Sequence, residues 1–125
     1  MSPEERLHYR QLARRGLHLA RQGRGFAAHE VWEELWLELH GDERLWLQAL
    51  IQLAVSQLHR DSGNQLGSAS LREKAAVKLS RLATEGFPEP EWAAGLELPL
   101  PKRLLELLAG PDPAGLGAEL WSAPH

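Results

Sequence analysis

Apolar residues recur along most of the chain at spacings of three and four, the period of an α-helix, and no stretch alternates long enough to read as a strand. Start and stop signals cut this pattern into helices. Ser2, Pro3 and Glu5 form a capping box with proline at the first helical position. The periodic segment that follows runs to Arg21, where Gly23 and Gly25 end it. A second helix is predicted from about Phe26 to Leu39, stopped by His40-Gly41. A third, capped by Asp42, runs from Glu43 to about His59 and breaks at Asp61-Ser62-Gly63. A fourth starts after Asn64 or Ser68 and runs to Thr84, with Gly86 as its stop. Beyond Gly86, four prolines bracket a short piece around Trp92. A last helix, Pro101 to Leu108, ends at Gly110.

The expected fold is therefore all-α, a bundle of four to five helices in residues 1–110. Residues 111–125 form an irregular Gly/Pro-rich tail that Trp121 would pin to the body. Helix 3 (about 43–59) is apolar almost all round, which marks it as the central, buried helix. Its exception is one polar stripe of Arg44, Gln48, Gln52 and His59, with Ser56 beside it. On helix 2, Glu30, Glu34 and Glu38 form an outward face, whereas Ala28, Trp32, Leu35, Trp36 and Leu39 cluster as core. His29 and Glu33, neighbours at i, i+4, lie at the edge of that apolar face, where an unpaired buried polar group is costly. The stripe of helix 3 is their expected partner. Arg72 falls inside the apolar arc of helix 4, within expected reach of Glu33, and Asn64 stands near the end of helix 3 that carries His59.

Composition narrows the function classes. The 125 residues suit one domain, and the absence of Cys excludes disulfides, thiol chemistry and Cys-ligated zinc. A net charge of −3 lacks the basic footprint of a nucleic-acid binder. No apolar run reaches a membrane span and no apolar leader opens the chain, so a soluble, cytoplasmic protein with no membrane partner is expected. Charge is uneven. Residues 1–25 hold six Arg against two Glu, and residues 26–43 hold only acids. Arg6, Arg10, Arg14 and Arg21 share one side of helix 1, read as a solvated flank that faces acidic helix 2.

The order Phe26-x-x-His-Glu-x-Trp-Glu-x-x-Trp36, then Leu-Gln-Ala-Leu-Ile-Gln-Leu-Ala to Ala54, then His59, then Gly63-Asn64 and a Leu/Lys/Ala-rich helix, resembles the bacterial and archaeal domain-of-unknown-function family 309. The resemblance covers roughly Leu17 to Leu82. It implies a small helical bundle and no assigned activity.

Three readings of His29, Glu33 and His59 follow from the residues. The leading one is a structural or interaction role, in which a hydrogen-bond network fixes helix register. The second is a divalent-metal site with hydrolase-like chemistry, the i, i+4 pair and His59 supplying three ligands. In it His29-Glu30-x-x-Glu33 partly matches the metalloprotease pattern, with Glu in place of the second His. The third is a pocket for a small ligand or a partner's helix, walled by Trp32, Trp36 and Trp46 and anchored by Gln52, Asn64 and Arg72. His8 and His18 are expected in solvent and His40 at a helix end. No nucleophile set or phosphate-cradling glycine loop occurs. Exposed acids and tryptophans on helix 2 and the tail make a homodimer an expected partner state.

Overall fold

In the computed structural model, residues 1–122 are described; the last three residues of the expected tail, including His125, lie outside them. Five α-helices follow one another: α1 (Pro3–Arg21), α2 (Gly25–Glu38), α3 (Gly41–Asp61), α4 (Gln65–Thr84) and α5 (Pro101–Leu108). Single 3-10 turns occupy Glu91–Ala93, Pro113–Gly115 and Ala118–Trp121. The fold is an all-helical bundle, as the apolar periodicity requires.

Local chemistry sets the helix ends. The Ser2 hydroxyl accepts from the Glu5 N–H and the Glu5 carboxylate accepts from the Ser2 N–H, which closes the capping box of α1. The Asn64 side-chain amide oxygen accepts from the Gly67 N–H at 2.9 Å and starts α4. Asp42, expected as the cap of α3, lies instead inside its first turn, where its charge favours the positive helix end. His40 holds the cap position with extended backbone and no side-chain bond.

α3 lies between α2 and α4, α1 packs on α2, and α5 packs on α4. Trp32, Trp46, Trp92 and Trp121 are fully buried, and each indole N–H has a partner. Trp32 donates to the Ala13 carbonyl (3.2 Å), Trp46 to Pro99 (2.9 Å), Trp92 to the Glu43 carboxylate (3.2 Å) and Trp121 to the Gln57 amide oxygen (2.8 Å). Gly16 makes the α1–α2 approach possible, because a Cβ there would sit 2.1 Å from Trp32 Nε1.

The arginine side of α1 does not face acidic α2 as expected. Arg10 donates to the Trp92 and Ala94 carbonyls, Arg21 to the Trp121 carbonyl at 2.7 Å, and Arg6 pairs with Glu91 at 3.0 Å. Carbonyls in an irregular segment lack ladder partners, and these guanidinium groups satisfy them. From α3, Arg60 donates to the Ala114 and Leu116 carbonyls and Gln57 to that of Gly117. Leu120 and Trp121 are buried, and Trp121 packs on Trp32 with centroids 5.6 Å apart, the anchoring expected of it. Among the described residues, no helix is long and apolar enough to cross a membrane.

Candidate functional site

One side of α3 is sealed: Trp46, Leu47, Leu50, Leu53 and Ala54 are buried. The other side, at helical spacing, carries Arg44, Gln48, Ile51, Gln52, Val55 and His59, all half-buried. α2 walls this outer face on one flank and runs antiparallel to α3. Gly25 lies against Ala54 and Leu58, and Trp36 lies against Arg44. α4 walls the other flank, since Ser68 and Ser56 line one cleft near the α3–α4 joint. Arg72 and Ala76 of α4 turn towards Pro113 in the C-terminal segment. The opposite flank of α4, with Leu71, Lys74 and Lys78, therefore borders the outer face. Burial, and then the neighbouring Lys74, push the Lys78 ammonium below the usual lysine range.

The outer face is unfinished in its hydrogen bonding. Among the described residues, five buried side-chain polar atoms have no partner, and four of them are here: His29 Nδ1, Trp36 Nε1, Arg44 Nε and Gln52 Oε1. Each such atom costs about 1–3 kcal/mol unless something completes it. Trp36 is the one tryptophan of five whose indole N–H is unbonded. Its ring lies under the Arg44 guanidinium, 3.6 Å from carbon to centroid, so a cation–π contact fixes the side chain while its N–H stays free. The row is thus held in place but not satisfied.

The structure brings together only part of the expected cluster. His29 Nε2 and a Glu33 carboxylate oxygen are 3.3 Å apart, but the side chains are 32% and 52% exposed. The pair sits on the rim rather than against the core. His59 does not join it. The antiparallel pairing sets His29 level with Ile51 and Gln52, about 12 Å along the axis from His59 at the helical rise. The His59 ring faces the Asn64 side-chain amide instead, at 3.3 Å. Among the described residues no group of three His, Asp or Glu could hold a metal ion, so the proposed ligand set His29, Glu33 and His59 is not assembled.

Arg72 does not reach Glu33. It donates to the Ser68 hydroxyl at 2.7 Å, because it leaves α4 on the flank away from the outer face. Trp32 and Trp46 point into the core, towards α1 and Pro99, so the expected aromatic pocket does not form. Asn64 is occupied as a helix cap. His8 and His18 are exposed as expected, though His8 also meets Glu38 at 2.8 Å and His18 meets Gln22 at 3.1 Å. The residues that sequence reasoning missed are Ile51 and Val55, which belong to the apolar circumference of α3, and Lys74 and Lys78, whose i, i+4 spacing is the one signal in the sequence and does not show what they border.

A family model described as Domain of unknown function (DUF309) matches residues 13–71. The matched segment is similar to the domains of this family. It runs from the inner half of α1 to the first turns of α4, and so holds all of α2 and α3 and with them the unfinished polar row. The two lysines of α4 and the C-terminal segment lie beyond the DUF309 match. No curated protein and no solved structure matches the chain.

Proposed function

We propose that the chain is a non-enzymatic recognition module whose working surface is the outer face of α2 and α3. The supporting observation is the uneven distribution of partnerless polar atoms. The buried tryptophans each have a hydrogen-bond acceptor, whereas His29, Trp36, Arg44 and Gln52 keep unpaired atoms side by side on one half-buried face. Polar groups arranged this way weaken the isolated fold and gain their bonds when another surface covers them. The His29–Glu33 pair then serves as a polar rim of that surface.

Stability measurements test this directly. Gln52→Leu replaces a buried, unpaired carbonyl with an apolar side chain of similar size. Chemical denaturation at low protein concentration is expected to show unchanged or higher stability, by up to about 1–2 kcal/mol. A loss of more than about 1 kcal/mol, the net worth of an ordinary hydrogen bond, would mean that the row serves the fold itself.

A further inference from the structure

The outer face is charged differently on its two flanks. On the α2 side stand Glu30 and Glu33, both exposed; on the α4 side stand Lys74, exposed, and Lys78, half-buried. Between them run Gln48, Gln52 and Val55 of α3. The two charged pairs lie at the same height along α3. Gly25 against Ala54 and Leu58 sets Glu30 and Glu33 level with about residues 47–50. Ser68 beside Ser56 sets Lys74 and Lys78 level with about residues 46–50. A twofold rotation about an axis in the plane of the face and parallel to α3 exchanges the flanks and keeps the height. It brings acids onto lysines twice. An axis across the helices would instead set acids on acids and lysines on lysines.

We propose that the outer face binds a second copy of the chain about a twofold axis running alongside α3, the acids of α2 in each copy meeting the lysines of α4 in the other. The proposal rests on the recognition-face reading and names its partner. The floor suits the same symmetry. A glutamine amide carries both donor and acceptor, so Gln48 and Gln52 can pair with their own images, and this would complete Gln52 Oε1. Val55 meets its image as the apolar centre, and Phe26, Leu37 and Leu58, left exposed in the single chain, add apolar rim.

Sedimentation velocity on three samples tests it: Glu30→Lys/Glu33→Lys, Lys74→Glu/Lys78→Glu, and their equimolar mixture, beside the unchanged chain. The unchanged chain is expected to be dimeric at high concentration. Each variant alone sets like charges against each other at both contacts, which raises the dissociation constant about a hundred-fold or more. The mixture restores opposite charges at both contacts and is expected to dimerise again, a rescue that misfolded variants could not give. An unchanged chain that stays monomeric at millimolar concentration, variants that dimerise alone, or a mixture that stays monomeric would each overturn the proposal. If that happens while Gln52→Leu leaves the fold intact, the recognition reading survives with a different partner. If Gln52→Leu unfolds the chain, both readings fall.

Discussion

Gly16→Ala sets helix propensity against packing. In an exposed helix the change stabilises by about 1 kcal/mol. Here the new methyl carbon would lie 2.1 Å from Trp32 Nε1 and 2.3 Å from Cδ1, so the indole or the helix must move by more than an ångström. Trp32 has no room to give, since it is fully buried, bonded to the Ala13 carbonyl at 3.2 Å and packed on Trp121. Overpacking a dense core costs about 1–3 kcal/mol, and the strained hydrogen bond adds about 1 kcal/mol. After the propensity gain the net loss is about 2 kcal/mol. For a chain of this length that lowers the melting temperature by about 8 °C. Urea denaturation and thermal melting followed by circular dichroism measure it. A melting temperature equal to or above that of the unchanged chain would refute the close α1–α2 approach on which the core depends.

Two further outcomes follow from individual contacts. Burial, and then the carboxylates of Glu38, Glu5 and Glu43, raise the Tyr9 phenol above its ordinary value of 10.0. Above pH 10.0 the unfolded chain therefore loses this proton before the folded one does. The stability this group supplies is complete below that pH and is lost as pH rises towards the folded value, so Tyr9→Phe is expected to flatten the alkaline limb of a stability–pH curve; parallel limbs would contradict it. Arg60→Ala removes donors to the Ala114 and Leu116 carbonyls, and hydrogen exchange of residues 114–121 is expected to speed up at least ten-fold, about 1.4 kcal/mol, while α2 is unaffected; unchanged exchange there would show that Gln57, Arg21 and the buried Trp121 hold the segment without Arg60.

What could be read from the sequence was what is local. The Ser2 capping box, the glycine stops and the unbroken apolar circumference of α3 act within a few residues, so they place the helices without knowledge of the rest. The rotation of each helix about its own axis is not local. Trp32 and Trp36 share an apolar face, yet four residues turn a helix about 40° past a full circle. That is enough to send Trp32 to the α1 interface and leave Trp36 on the rim under Arg44. Arg72 looked inward on α4 and does turn inward, but towards a C-terminal segment whose path no periodicity encodes. The arginines of α1 were misread for the same reason, because their partners are carbonyls of that irregular segment. The row Arg44, Gln48, Gln52 was visible as a stripe. That its atoms stay unpaired emerged only once His29 and Glu33 were located on the rim.

The claim that copies meet through the outer face is tested most directly at the Trp36 indole N–H. In the single chain it has no acceptor, whereas the N–H groups of Trp32, Trp46, Trp92 and Trp121 are bonded inside the core. A nitrogen-15 correlation spectrum separates the five indole signals, and Trp36→Phe assigns the one in question. As concentration rises from micromolar to millimolar, the Trp36 signal is expected to shift and its exchange with water to slow, while the other four stay in place. A Trp36 signal that holds still across that range, or one that stays put while a core indole moves, would contradict the account.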